Sequence, residues 1–180
     1  MNKPIQKPSI SALLQILDKP ALLSWANKQG LEGINIQDLR AKSMQDGLSL
    51  HRQIQNFHTK QIPMNEEKQH AGLLAFLQDK ELVAVENAVE HECFVGRYDV
   101  RMKCGGREII YDYKSSNKVY FEQRLQLVAY SMCEPCEGLA VVHIPQFRLA
   151  EIKIENREPY ERIILALAKI YNARMEIGET

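Results

Sequence analysis

The chain has 180 residues, of which 45% are apolar, and its 23 basic and 23 acidic side chains cancel to a formal charge of zero. That composition suits one globular domain and excludes disordered and collagen-like classes. The longest aliphatic stretch, Ile163 to Ala168, is far short of the ~18 apolar residues of a membrane span, and MNKPIQKPS has no secretory core, so a soluble intracellular protein is expected.

In chain order, Ser9 or Ser11 is expected to cap a helix carrying Leu13, Leu14, Ile16, Leu17, Leu22, Leu23 and Trp25, broken near Pro20 and stopped at Gly30. Asn35 and Asp38 resemble a second cap, for a helix that continues or resumes after Gly47 with Leu48, His51, Ile54 and His58 at helical spacing. Pro63 and Asn65 introduce a third helix to about Asp79.

The period then changes. Leu82–Val89, Phe94–Met102 and Glu108–Tyr113 read as strands, with Gly105-Gly106 as a two-residue hairpin turn. Residues 119–132 return to helix, Leu139–Ile144 and Arg148–Ile154 are further strands, and Glu158 to about Ala173 closes the chain as a helix. The order implies an α/β or α+β sheet core with a helical N-terminal cap.

Charge is uneven: residues 1–30 carry +3, 31–60 carry +1, 61–99 carry −5, 100–132 carry +3 and 133–180 carry −2. A neutral sum argues against a broad basic face, and so against nucleic-acid binding over a wide surface. Among Cys93, Cys104, Cys133 and Cys136 only the last two have ligand-like spacing, so reduced, partly buried thiols are expected in place of a metal cluster.

With Gly105 and Gly106 at the turn centre, Val100 faces Tyr111, Met102 faces Ile109 and Tyr98 faces Tyr113 on one side. On the other, Lys103 meets Glu108, Arg101 meets Ile110, and Asp99 meets Asp112. One face is then apolar and the other polar. Two carboxylates facing each other repel unless something positive lies between them, which suits a divalent cation. Lys114, two residues beyond Asp112, points to the same face. Such a D…D-x-K set suits phosphodiester hydrolysis: carboxylates hold Mg²⁺ or Mn²⁺ at the scissile phosphate, and the ammonium orients water or offsets developing charge. A chance surface Asp and Lys is the competing reading of D-x-K alone.

The run VAVENAVEHECFVGRYDVRMKCGGREIIYDYKSS, followed by QRLQLVAYSM, resembles the PD-(D/E)xK nuclease superfamily in its RecB-like exonuclease branch. It looks especially like mitochondrial genome maintenance exonucleases and their bacterial and phage relatives. PSISALLQILDKPALLSWANKQG looks like the start of such proteins, and GLSLH, Gly47 to His51, matches their G-x-x-x-H motif; the likeness spans roughly residues 8–132. It implies a restriction-endonuclease-like α/β fold: a mixed central sheet with an antiparallel catalytic hairpin, flanked by helices and preceded by a helical region. It implies one nuclease domain over 1–180, helical over 1–80 and with the sheet core and catalytic motifs over 81–180.

Residue by residue, the likeness implies that Asp99 and Asp112 are metal ligands with the Tyr113 carbonyl and His51, and that Lys114 is the catalytic lysine. Glu86 matches a glutamate that supports the site or holds a second metal, with Glu90 and Glu92 as rivals on the same strand face. Gln126 and Tyr130 match the Q-x-x-x-Y motif that lines the site, four apart on one helical face. Ser115 and Ser116 suit phosphate contact. Lys118 and Arg124 flank the site as further phosphate candidates, with solvated surface charge as the alternative. The cysteine placement departs from the iron-sulfur members, so that cluster is not expected.

His58, His70, His91 and His143 read as structural, and Trp25, Phe57 and Phe76 as core. The expectation is a Mg²⁺- or Mn²⁺-dependent exonuclease on single-stranded DNA or DNA ends, serving repair, recombination or replication in the cytoplasm of a bacterium or a phage host. A non-catalytic recombination-accessory protein on the same fold and a restriction-type endonuclease are the alternatives. A bound cation offsets two acids, so a grip on DNA is expected to be weak, salt-sensitive and confined to a narrow groove.

Overall fold

The structure is a computed structural model that describes residues 7–17, 26–27, 30–33 and 35–178. Helix α1 (Ile10–Leu14) is capped by the Ser9 hydroxyl, which accepts from Ala12 N at 3.1 Å. It is shorter than the apolar periodicity predicts. Gln15 N and Ile16 N bond Ala12 O and Leu13 O, tightening the chain out of the α-helix well before Pro20. Leu22, Leu23 and Trp25 lie outside the described residues.

Helix α2 (Ile36–Lys60) is continuous through Gly47, capped by Asn35 Oδ1 accepting from Gln37 N, and ends on left-handed Gln61. Helix α3 (Glu67–Leu77) starts later than Asn65 and leads into strands β1 (Lys80–Glu90), β2 (Val95–Cys104) and β3 (Arg107–Lys114). Helix α4 (Phe121–Cys133) crosses over to β4 (Gly138–His143), then come β5 (Arg148–Glu151) and α5 (Glu158–Glu176).

The five strands form one mixed sheet in sequence order, antiparallel except where β3 pairs β4 in parallel. A parallel neighbour requires a crossover, and α4 supplies it. Helices α1, α4 and α5 pack on one face of the sheet around Ile10, Phe94, Ile110, Val128, Val141 and Ile164. Helices α2 and α3 cover the other with Ile54, Leu73 and Phe76 against Val100, Met102, Tyr111 and Val142. The chain is thus α/β, with a mixed sheet between helical layers. Among the described residues no helix is long and apolar enough to cross a membrane.

Gly105 and Gly106 have φ of 57° and 80°, as a two-residue turn matching strand twist requires. The register follows: Val100 pairs Tyr111, Arg101 pairs Ile110, Met102 pairs Ile109 and Lys103 pairs Glu108. The expected division into one apolar and one polar face does not hold. Asp112 is 1% exposed and Ile110 0%, because the crossover helix covers the side that an isolated hairpin would leave in water.

Candidate functional site

The β2–β3 ladder stops at Val100 and Tyr111, so Tyr98 with Tyr113 and Asp99 with Asp112 are not the cross-strand pairs that the register extrapolates. Tyr98 packs among the α1, α4 and α5 residues, whereas Val100, two positions on, faces α2 and α3. A regular strand keeps both on one side, so the alternation breaks between them. On β1 the break is matched by Glu86, whose φ of 48° lies in the left-handed region. Asp99 sits at this opening. Its Oδ2 accepts from Tyr113 N at 2.6 Å, a side chain standing where a ladder carbonyl would be.

Asp112 and Lys114 extend from Ile110 on the α4 face, with Lys114 Nζ 2.7 Å from Asp112 Oδ2. That oxygen is buried, and no donor meets it in hydrogen-bonding geometry. The Lys114 ammonium is its charge partner, and a carboxylate oxygen is a hard donor of the kind Mg²⁺ selects. Burial by itself lowers the Lys114 pKa; Asp112 and Asp99 outweigh it and hold the amine above its usual value as a firm ammonium. The Asp99 carboxyl is pushed well above its ordinary value by burial and then by Asp112, although its side chain keeps 18% of its surface in contact with solvent.

His51 arrives from α2. Its Nδ1 is 3.8 Å from Asp99 Oδ2, and its ring lies edge-on to Tyr113 at 6.3 Å. Burial, then the Lys114 charge, lower its pKa, so the ring is neutral and able to ligate at pH 7. Gly47 stands one helical turn earlier on the same face, and a Cβ built there would lie 3.6 Å from Ser115 Oγ. The G-x-x-x-H spacing therefore has a geometric content: the glycine faces the loop after Lys114 while the histidine faces the acids.

Glu86 is held above its usual pKa by burial against the opposing pull of Arg97, and its charge acts on Asp99. Its rivals are engaged elsewhere. Glu90 pairs with Lys7 at 2.5 Å, and Glu92 lies past the end of β1, which removes it from the strand face all three were expected to share. On α4, Gln126 Nε2 donates to Tyr130 Oη at 2.7 Å, and the buried Tyr130 hydroxyl is held protonated by burial, Asp112 and Asp99. Ser116 Oγ donates to Lys118 O and accepts from Gln123 Nε2. Lys118 Nζ lies 5.1 Å from the centroid of the Tyr120 ring, turned to an aromatic in place of the acids. Arg124 is half-buried on α4 and forms no contact with Asp99 or Asp112.

The structure thus brings together His51, Glu86, Asp99, Asp112, Tyr113, Lys114 and Tyr130, with Gln126 behind Tyr130. Ser115, Ser116 and Lys118 follow Lys114 in the loop before α4, and among the described residues no polar contact joins them or Arg124 to the acids. Among the described residues, the set of three ligand-type side chains converging within 4.8 Å is a different one: His91, Glu92 and Cys93 in the β1–β2 turn. There the His91 ring stacks on Phe94 at 4.6 Å and accepts from Cys93 N, which makes it a packed turn residue. His51, Asp99 and Asp112 do not converge to within 4.8 Å as a set of three.

Two histidines read as structural turn out to brace the site. His58 Nε2 lies 3.0 Å from Tyr113 Oη behind the strand, and burial pushes its pKa down to about 4. His143, buried on β4, bonds Ser116 O. Phe76 is buried and Phe57 partly so. Residue-type reasoning missed a polar cluster on the α4 side: Glu134 accepts from Asn87, Tyr98 and Arg101, at 2.8, 2.8 and 3.2 Å. Nothing local in the chain marks Glu134, since its three partners come from β1 and β2.

Neither a family model nor a curated protein sequence matches the chain. A solved structure titled "Crystal structure of SSO0001" is similar with a TM-score of 0.45 and 16% identity, over 94% of this chain and 79% of that one.

Proposed function

We propose that the protein is a metal-dependent DNA nuclease on a restriction-endonuclease-like sheet, acting as an exonuclease on single-stranded DNA or DNA ends. The observation that carries this reading is the buried Asp112, paired with the Lys114 ammonium at 2.7 Å, with a second acidic side chain, Asp99, at the opening of the sheet. The donors present fit a hard divalent cation: two carboxylates, the Tyr113 carbonyl and a neutral imidazole at His51. When bound, Mg²⁺ or Mn²⁺ supplies Lewis acidity to a phosphate oxygen and lowers the pKa of water.

The protein's own groups do the rest. Asp112 and Asp99 hold Lys114 as an ammonium, a donor that would orient water and offset charge on the phosphate. Tyr130 accepts from Gln126 and keeps its own proton free to donate. His51 brings a neutral imidazole to 3.8 Å from Asp99 Oδ2 from the α2 side of the sheet.

The test is incubation of end-labelled single- and double-stranded DNA and a circular DNA with Mg²⁺, Mn²⁺ or EDTA. Cleavage is expected with metal and not with EDTA, shortening labelled ends and sparing the circle. Cleavage that survives Lys114→Ala or Asp112→Asn sinks the site assignment, and discrete fragments from the circle sink the exonuclease mode.

A further inference from the structure

We propose that the segment following Lys114 is a stacking platform for unpaired nucleotides, with Tyr120 and Phe121 presenting rings to bases and Lys118 and Arg124 presenting charge to phosphates. The proposal rests on the nuclease reading above and narrows its substrate to single-stranded DNA.

Tyr120 and Phe121 are consecutive, 39% and 47% exposed, at the start of α4. Isolated exposed aromatics are ordinary on a soluble protein. These two differ in their surroundings. Lys118 Nζ stands 5.1 Å from the centroid of the Tyr120 ring, and Phe121 leans on Tyr160 with centroids 6.0 Å apart at 41°. Arg124 follows Tyr120 by four residues and Phe121 by three, so helical geometry puts it on their side of α4. Its side chain forms no hydrogen bond or ion pair among the described residues. Within a chain of zero net charge, residues 114–124 hold three cations against Glu122. Aromatic rings interleaved with cations are the combination that binds single strands, because every base has a face to stack and every linkage carries a charge. A duplex offers its phosphates here but keeps its bases stacked on one another.

The backbone beneath the rings is held firmly for an exposed loop. Ser116 O bonds His143, Asn117 O accepts from Arg148 at 2.6 Å, and Lys118 O accepts from Ser116 Oγ at 2.9 Å. Gln123 bonds both ways, donating to Ser116 Oγ at 3.2 Å and accepting from Tyr120 N at 3.0 Å. A surface ordered before binding loses little freedom on binding. The loop also begins one residue after Lys114, which ties the platform through six residues of chain to the proposed site.

The experiment is fluorescence anisotropy of a labelled oligothymidylate with the full-length protein in EDTA, where no turnover occurs. Tyr120→Ala is expected to weaken binding roughly tenfold, and Tyr120→Ala with Phe121→Ala further, while Tyr120→Phe and Phe121→Trp hold it. Wild-type protein should bind an oligomer of abasic residues as weakly as the double variant binds thymidylate, and this comparison depends on no substitution. Duplex binding should not respond to the ring changes. An unchanged Kd for thymidylate in a double variant that melts like wild type overturns the platform, as does equal wild-type affinity for abasic and thymidylate strands. If wild type cleaves with Mg²⁺ while the rings prove irrelevant to binding, the platform fails and the nuclease reading stands. If binding depends on the rings but no metal yields cleavage, the platform stands and the nuclease reading fails. No binding by wild type overturns the platform.

Discussion

Two glycines near the site should respond to the same substitution with opposite signs. At Gly47, inside α2, a methyl group would meet Ser115 Oγ at 3.6 Å, an ordinary van der Waals contact. Gly47→Ala therefore keeps the packing and removes the entropy that glycine loses in a helix, a gain of about 0.5–1 kcal/mol. At Gly96, on β2, the methyl would lie 2.4 Å from Ile10 Cδ1 and 3.0 Å from Tyr130 Cε1, both in buried residues. The Ile10 terminal carbon borders a cavity that Gly96 and Tyr130 also line, so it can give way, but the Tyr130 ring is rigid and cannot. Overpacking of that kind costs about 1–3 kcal/mol. With a urea slope of about 2 kcal/mol/M, the Gly47 change raises the denaturation midpoint by roughly 0.4 M and the Gly96 change lowers it by 0.5 M or more. Urea titration followed by circular dichroism reads both. A lower midpoint for Gly47→Ala, or an unchanged one for Gly96→Ala, refutes the contacts from which the signs are worked. The Gly47 variant carries a second message: if it is more stable yet inactive, the glycine is needed for room around the substrate and not for the fold.

His58 makes stability depend on pH. Its pKa is about 4 in the folded protein against 6.5 unfolded, so its contribution is complete above pH 6.5 and is lost as pH falls toward 4. The unfolded chain takes a proton there that the folded one refuses, worth about 3 kcal/mol over the window, and His58→Gln should flatten the fall in unfolding free energy between pH 7.5 and 4.5. Parallel pH profiles for the two proteins would count against it. Asp99→Asn keeps an acceptor for Tyr113 N but removes a charge crowded by Asp112 and Glu86, so the metal-free variant should melt about 3 °C higher while losing any Mg²⁺-dependent rise. Scanning calorimetry with and without Mg²⁺ checks both halves. Glu134→Ala strips acceptors from Asn87, Tyr98 and Arg101 together and should cost about 2 kcal/mol, with Glu134→Gln recovering part of it, as read by the same urea titration.

The hairpin register was legible because Gly-Gly admits the turn that twisted strands need, and a two-residue turn leaves no freedom in pairing. Where that register ends was not. The break at Asp99 depends on Glu86, thirteen residues away on another strand, adopting a backbone conformation that glutamate rarely takes. Burial of the polar face was likewise hidden, because it follows from β3 pairing β4 in parallel and not from anything between Val95 and Lys114. His51 could be singled out only through Gly47, whose role is contact with a loop 68 positions on; the two numbers, 47 and 115, share no local pattern. Helix α1 ended early for a local reason that apolar periodicity does not encode, namely tightening of its last turn. Tyr120 and Phe121 passed unremarked because aromatic residues at a helix start ordinarily pack inward, and only their exposure separates these two from that habit.

The bond from Tyr113 N to the Asp99 carboxylate gives the acid two employments. An amide in the middle of a sheet is usually locked by a neighbouring backbone and exchanges its hydrogen only when strands separate. This amide is locked by a side chain instead, so it can be freed by a carboxylate rotation that leaves every strand in place. Hydrogen–deuterium exchange at Tyr113 is therefore a local gauge of where the Asp99 oxygens point. Compared with the amides of Ile110 and Tyr111 inside the ladder, its protection should change with occupancy of the site while theirs holds constant.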